Sequence, residues 1–396
     1  MNPEDQNPVP ADESLPESNF LAEPMPAAEP LSRPLSAPDP PETRFLKAIL
    51  FGEHGLRIGW SVAIFFILTL LFMVGASILG GIFAEKVLHI KLTDLTPVSA
   101  VLGELMQFVS IAAAVAVCAL IERRRITDYY LKDQRRPLHF VTGAVGGFAA
   151  LSLLVGALYW GHWIHFGPIA LSGVAIARFA AIWGLVFLLT GFVEEGSMRC
   201  YLLFTLTRGI NFWWALGLVG CMCLSGVAFH NGGGIWGIYI ISALGLVPCL
   251  LLYISKSPSA GFWQAAWATS TFFGFIHTGN NGETWIGIFS AAAIGFVFCV
   301  SVRLTGSAWW AIGFHASWDW AQTFFYGTAD SGYVAEGHYL TTAPTGAVLW
   351  SGGSAGPEGS VIVIPIVLIV LLALVAVYGR RARVESPSPA VQPQLS

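Results

Sequence analysis

Glu194, Glu195 and Arg199 stand in a stretch that is otherwise as apolar as lipid, between Arg178-Phe-Ala-Ala-Ile-Trp-Gly-Leu and Tyr201-Leu-Leu-Phe-Thr-Leu. Ionised groups at membrane depth each cost about 2.5–3.5 kcal/mol on insertion scales, so they are rare there and point to function. Helical spacing separates the three. Glu195 and Arg199 are four apart, share a face and can form an ion pair. Glu194 is turned by about 100° from Glu195 and is left free to work. The plainer reading ends the helix near Glu194 and leaves the charges among the headgroups.

Few other titratable residues fall in apolar segments. Phe273-Gly-Phe-Ile-His277 ends one of them, and His315-Ala-Ser-Trp-Asp319 lies inside another. His315 and Asp319 are four apart, so a carboxylate can hold the imidazole in one tautomer. Phe273 sits one turn before His277 and packs against it. A carboxylate and two histidines from three helices suit two chemistries. In one, Glu194 and His277 bind a water, Glu194 takes its proton, and His315 donates to the developing oxyanion. In the other, Glu194, His277 and His315 ligate a divalent metal such as zinc, which activates the water. No His-Glu-x-x-His pattern demands a metal, so no cofactor is assigned with certainty. Ser197 and Ser317 lie nearby, but neither stands in a Gly-x-Ser-x-Gly elbow that would support a serine nucleophile. Glu104 reads as a buried structural or cavity residue outside the site. His54, His89, His139, His162, His165 and His338 fall in loops or at segment ends and read as surface residues.

The elements that must position these residues are membrane helices. The chain of 396 residues is 55% hydrophobic and only 11% charged, against about 25% charged for an ordinary soluble domain. Repeated apolar runs reach the roughly 20 residues that cross a bilayer. The expected fold is all-α, a polytopic transmembrane bundle of about eight to ten spans. The ten candidates are 58–83, 97–121, 139–160, 172–206, 212–229, 236–254, 261–277, 284–304, 307–326 and 361–378. Residues 1–43 are rich in Pro, Ala, Ser and Glu and read as a disordered tail. Residues 44–383 form the membrane domain, and 384–396 a second tail. The basic residues of Arg123–Arg136, with Arg44–Arg57, Arg208, Lys256, Arg303 and Arg380–Arg383, all fall on one side when ten spans carry both termini inside. The six cysteines lie in apolar segments and read as small core residues. The net charge of −4 gives no reason to expect nucleic acid.

The three patterns, Glu-Glu-x-x-x-Arg, Phe-x-x-x-His and His-x-x-x-Asp in that order, resemble the CPBP family of CAAX-processing and bacteriocin-processing (Abi) intramembrane endopeptidases. The resemblance covers about Arg178–Tyr326. It implies a helical bundle with a polar cavity, Glu194 and His277 as the water-activating pair, His315 and Asp319 at the oxyanion, and Glu195 and Arg199 in support. Three features depart from the family. Cys200 follows the motif arginine where glycine is usual. Asp319 stands where the prenyl-protein endopeptidases of the family carry Asn, and an ionised Asp cannot donate to an oxyanion, so it is protonated or orients His315. Residues 212–260 add about two spans between the first two motifs. That insertion offers Ser225-Gly-Val-Ala-Phe-His230 as a rival second motif, but Gly226 stands where Phe is needed, which favours His277.

The expected function is cleavage of a peptide or membrane-protein substrate within a bacterial inner membrane, in preference to processing of prenylated proteins. The lipid bilayer is the expected partner, and oligomeric state is not readable. The alternative, from a different class, is a transporter or partner-binding bundle that uses the polar cluster structurally. Convergence of Glu194, His277 and His315 on one space separates the two. Depth poses a difficulty: His277 falls toward the far end of its span, whereas Glu194 lies about 24 Å along its helix from Arg178.

Overall fold

The computed structural model describes residues 45, 49–52, 55–91, 96–229 and 234–385, with side chains described outside 228–244 and 380–385. The N-terminal segment 1–43, the tail beyond 385 and His230 lie outside the described residues. Contacts divide the chain at Ala48, and the account below concerns the unit that follows.

Ten long helices occur among the described residues: α1 (Ile58–Phe83), α2 (Pro97–Ile121), α3 (Arg136–Trp160), α4, α5 (Phe212–Phe229), α6 (Gly234–Ser255), α7 (Ala260–Ile276), α8 (Trp285–Thr305), α9 (Trp309–Trp320) and α10 (Val363–Glu385). Helix α4 starts as Val174–Glu195, widens into a π turn over Gly196–Leu202 and finishes as Leu203–Thr207. Five are long and apolar enough by themselves to cross a membrane, and α1 and α4 are the longest of these at 31 and 34 residues with their π turns. The chain is a multi-pass membrane protein. Its apolar side chains point outward as well as inward, since Leu70, Leu79 and Leu120 are among the most exposed residues; with lipid tails outside, no hydrophobic gain separates the two faces.

What holds such helices together is close approach of backbones across small residues. Helix α9 is wedged between α3 and α4 in this way. A Cβ on Gly143 or Gly147 of α3 would collide with the Trp310 or Phe314 carbonyl of α9, and one on Gly313 of α9 would collide with the Phe140 carbonyl of α3. On the other side, a Cβ on Gly191 would sit 3.1 Å from the Ile312 carbonyl oxygen. Helix α7 meets α8 at Gly274, where a Cβ would come within 2.7 Å of the Ile288 carbonyl oxygen. The motif residues therefore ride on helices packed backbone to backbone.

The basic connections gather at one end of the bundle. Arg208 Nη1 donates to Glu122 Oε2 at 2.9 Å, Trp309 Nε1 donates to the Leu131 carbonyl at 3.0 Å, and Arg303 lies over the Phe262 ring. His139 is 5% exposed there, not a surface residue as its position at a span end suggested. Its Nδ1 is 2.5 Å from Asp133 Oδ2, and the Ser307 hydroxyl donates to the same oxygen at 2.6 Å. The trio ties the α2–α3 connection to the α8–α9 turn. Burial opposes ionisation of Asp133, but the Ser307 hydroxyl, the Arg135 backbone N–H and His139 outweigh it and hold the carboxyl below the usual range.

Among the described residues, one departure from an all-helical plan reaches the site. Strand β1 (Ile164–Ile169) pairs antiparallel with β2 (Leu340–Pro344), with Phe166 opposite Thr342 and a bulge before Ile169. This pairing folds the long connection 327–360 back over the bundle. The Tyr339 N–H donates to the Phe324 carbonyl at 2.6 Å, and Trp183 Nε1 to the Glu336 carbonyl at 3.0 Å. Gly327 and Gly332 hold positive φ angles of 61° and 84° at its sharp turns, conformations glycine adopts without steric cost.

Candidate active site

Helix α4 runs straight through the stretch where the plainer reading would have ended it. Its carboxylates are therefore enclosed by the bundle: Glu195 and Arg199 are fully buried, and Glu194 keeps 28% of its side chain exposed. Arg199 Nε lies 3.1 Å from Glu195 Oε2, which is the pairing that the spacing of four implied. The guanidinium also stacks on Phe273 at 4.4 Å and on Phe298 at 5.2 Å. Weak hydration makes guanidinium the cation best suited to such a place. Gly295 of α8 makes room, since a Cβ there would lie 2.5 Å from Arg199 Nη2.

Both helices that carry site carboxylates widen just beyond them. The π turn Gly196–Leu202 begins immediately after Glu195, and the Leu203 N–H reaches back five residues to the Met198 carbonyl. A second, Ala321–Phe325, follows Asp319 by two residues. Single π turns recur at functional sites. Here the first contains buried Cys200, the residue that stands in place of the usual glycine, so the larger side chain is accommodated where the helix is wider.

His315 stands among three carboxylates. Its Nδ1 is 2.8 Å from Glu195 Oε1, and its Nε2 is 3.6 Å from Glu194 Oε2 and 3.4 Å from Asp319 Oδ2. The short bond that fixes the ring comes from Glu195. Asp319, which the sequence placed as the residue orienting the imidazole, faces the other nitrogen. Phe298 stacks on the ring at 5.8 Å, and Phe273 meets it edge-on at 6.0 Å.

His277 follows α7 directly in a short 3-10 turn. Its Nδ1 is 2.7 Å from the Phe273 carbonyl oxygen. A carbonyl only accepts, so Nδ1 carries the hydrogen and Nε2 offers a lone pair. Phe273 packs against the ring at 4.7 Å. The depth difficulty disappears once helix lengths are known. Thr207 at the end of α4 adjoins Gly261 at the start of α7. From that shared level Glu194 lies about 20 Å up one helix and His277 about 24 Å up the other, at about 1.5 Å per residue. Helix α4 is too long for a bilayer and α7 is short, so their motif residues meet inside the bundle.

Glu194, His277, His315 and Asp319 line one cavity of about 410 Å³. Glu194 Oε2 is buried in its wall with no hydrogen-bond partner. Glu104, left outside the site by sequence reasoning, also lines the cavity, where Gln107 donates to it at 3.0 Å. Two further carboxylates, Asp330 and Glu358, arrive from the connection 327–360. Thr323 donates to Asp330 at 2.9 Å, and Trp318 Nε1 to Glu358 at 2.6 Å. Burial, and the mutual repulsion of the two acids, pushes Glu358 up to about 8; burial raises Asp330 as well. Nothing in the sequence pointed to either, beyond the presence of acids in a glycine-rich connection.

The two serines weighed as nucleophiles are otherwise engaged. Ser197 donates to the Val193 carbonyl at 2.8 Å and Ser317 to the Ala144 carbonyl at 2.6 Å. Among the described residues, no three His, Cys, Asp or Glu side chains form a group that could hold a metal ion. Glu194, His277 and His315 as placed do not fit the metal-ligand set that their types allowed, and both nitrogens of His315 are turned to carboxylates.

A membrane-embedded helical bundle whose central cavity joins a partly free glutamate to two histidines has the makings of a hydrolase site. Residues 250–321, which span α7, α8 and α9 and so the second and third motifs, match the family model described as Rce1-like: type II CAAX prenyl endopeptidase Rce1-like. The match bears out the resemblance to the CPBP intramembrane endopeptidases and supports a CAAX-type intramembrane endopeptidase. No curated protein and no solved structure matches the chain.

Proposed function

We propose that this protein hydrolyses a peptide bond inside the membrane with a water activated by Glu194 and His277. The observation that carries the reading is the shared cavity: Glu194, His277, His315 and Asp319, from two helices and a turn, line one space. A transporter or binding bundle would need no such meeting of a base, an acceptor nitrogen and a donor.

The steps follow from the hydrogen-bonding capacity of each group. Water donates one hydrogen to Glu194 and the other to His277 Nε2, whose tautomer is set by the Phe273 carbonyl. Glu194 takes a proton as the water oxygen bonds to the carbonyl carbon. The carbonyl oxygen becomes an oxyanion and receives a hydrogen bond from His315 Nε2. For that, His315 carries protons on both nitrogens: Nδ1–H is committed to Glu195, and the one positive charge that the second proton brings is also faced by Glu194 and Asp319. Asp319 acts as that counter-charge and does not itself donate. When the C–N bond breaks, Glu194 returns its proton to the leaving amine. The apolar surroundings strengthen each electrostatic contact relative to water.

The substrate is a peptide or membrane protein able to enter laterally or from the end covered by the connection 327–360, and the setting is a bacterial inner membrane with the basic end of the bundle on the cytoplasmic side. The test is purified full-length protein in proteoliposomes with a quenched peptide library and a measured metal content. Wild type cleaves and Glu194→Gln does not. Full activity in Glu194→Gln would remove the mechanism, and activity that tracks a stoichiometric metal would replace it with the metal-activated form.

A further inference from the structure

The cavity lining is dominated by acids. Six carboxylates line it, Glu104, Glu194, Glu283, Asp319, Asp330 and Glu358, with two imidazoles, His277 and His315, and, among the described residues, no lysine or arginine. The proposed chemistry uses Glu194 and Asp319. Glu104, Glu283 and the lid pair Asp330 and Glu358 are not used by it, and their cost is large, since each buried carboxylate needs a partner or a proton.

The lid pair is placed with care. Asp330 and Glu358 lie 28 residues apart in one connection, yet each is pinned to α9 or its π turn. Thr323 holds Asp330, Trp318 holds Glu358, and the Ser290 hydroxyl of α8 donates to the Glu358 backbone carbonyl at 3.3 Å. Trp318 is the residue just before Asp319, so the lid acids sit next to the proposed oxyanion side of the centre. Two hydroxyls on Asp330, from Thr323 and Ser331, and one indole on Glu358 leave acceptor capacity on both carboxylates. The Glu194 Oε2 atom faces the same space without a hydrogen bond.

We propose that the lid wall formed by Asp330 and Glu358 is a subsite for a cationic side chain, so that the substrates are peptides carrying lysine or arginine beside the scissile bond. This deepens the endopeptidase reading and rests on it. A substrate carboxylate, by contrast, would meet six acids against the single imidazolium of His315. Burial of the empty pair is tolerated because a proton on Glu358 relieves its repulsion: Glu358, pushed up to about 8, is largely protonated at neutral pH, and Asp330, Glu283 and His315 are the charged groups that act on it. An entering ammonium or guanidinium takes the place of that proton. Binding of a cationic side chain therefore releases protons and strengthens from pH 6 to pH 9, while binding of a neutral one does not.

The experiment uses capped alanine peptides with a single central lysine, glutamine or glutamate, titrated calorimetrically onto the full chain in nanodiscs at pH 6, 7.5 and 9. The lysine peptide is expected to bind about tenfold or more tighter than the glutamine peptide, the range a charge-assisted contact gives. That ratio grows with pH and collapses in Glu358→Gln and in Asp330→Asn. Equal binding of lysine and glutamine peptides, tightest binding of the glutamate peptide, or no binding of any peptide overturns the subsite, as does a lysine preference unchanged in both variants. Should either variant fail to fold, the pH dependence of the wild-type ratio decides: a ratio flat in pH overturns it. Lysine-selective binding without Glu194-dependent cleavage would remove the endopeptidase reading and leave the subsite standing.

Discussion

Glu195 Oε1 lies 2.8 Å from His315 Nδ1 while its other oxygen is 3.1 Å from Arg199 Nε, so one fully buried carboxylate both balances an arginine and aims a histidine. The two tasks separate by substitution. Glu195→Gln leaves Arg199 buried beside a neutral amide, and loss of one partner from a buried pair costs about 3–5 kcal/mol. The unfolding midpoint in detergent falls sharply. Adding Arg199→Met removes the stranded charge and recovers much of that stability, since well-packed apolar replacements of buried pairs are often neutral. Cleavage does not recover with it, because His315 has lost the anion that fixed its ring. Activity returning in the double variant would show that Glu195 serves the fold alone.

Glu194 behaves in the opposite way. It touches no arginine, keeps part of its surface in the cavity and has a buried oxygen without a hydrogen bond. Glu194→Gln keeps the shape and removes the base. Cleavage is expected to fall by about 10²–10⁴ or more, the contribution general-base catalysis makes. The unfolding midpoint stays level or rises, since an unsatisfied buried acceptor is replaced by a neutral group. The pairing of lost turnover with undiminished stability is what distinguishes Glu194 from Glu195. Measured side by side, equal destabilisation by the two substitutions would argue against a free catalytic carboxylate.

The seam between α3 and α9 sets the position of His315. Gly143 and Gly147 on one helix and Gly313 on the other each face a carbonyl that leaves no space for a Cβ. Gly313→Ala therefore pushes α9 away from α3 and toward α4. Overpacking costs about 1–3 kcal/mol, and a shift near 1 Å at the chemistry can cost about a hundredfold in rate. Gly156 on the same helix has open space around it, so Gly156→Ala changes neither stability nor rate. Matching effects of the two substitutions would mean that the seam is not tight.

The helices and the motif residues were legible because membrane helices declare themselves in hydropathy and because charges inside them are few. All ten candidate spans coincide with helices, and the depth conflict between Glu194 and His277 came from the assumption that each span has bilayer length. The rest was hidden for physical reasons. The 2.8 Å bond from Glu195 to His315 joins residues 120 apart and follows from a packing seam of glycines, not from a local pattern. The π turns after Glu195 and Asp319 leave no periodic mark over so few residues. Asp330 and Glu358 sit in a connection whose conformation depends on β1 pairing with β2, which two short segments so far apart in the chain do not advertise. His139 looked peripheral because it lies at a span end, but Asp133 and Ser307 close over it.

That last cluster carries a pH dependence with a definite sign. The Asp133 carboxyl lies below its ordinary range in the folded protein, through the Ser307 hydroxyl, the Arg135 N–H and His139. A depressed folded value means that the unfolded chain binds the proton more readily, so the stabilisation is fully present above the unfolded value, about 3.9, and is lost as pH falls through the folded one. Asp133→Asn removes the ionised form at every pH. Its unfolding midpoint is lower than wild type near pH 7, and the gap closes as the medium is acidified below about pH 4. His139→Gln tests the same linkage from the other side: without the imidazole, the acid-side loss begins at a higher pH because less holds the carboxylate ionised. The readout is the midpoint in detergent between pH 3 and 7 for the three proteins together. A gap that stays constant across that range would mean that Asp133 acts through shape and not through its charge.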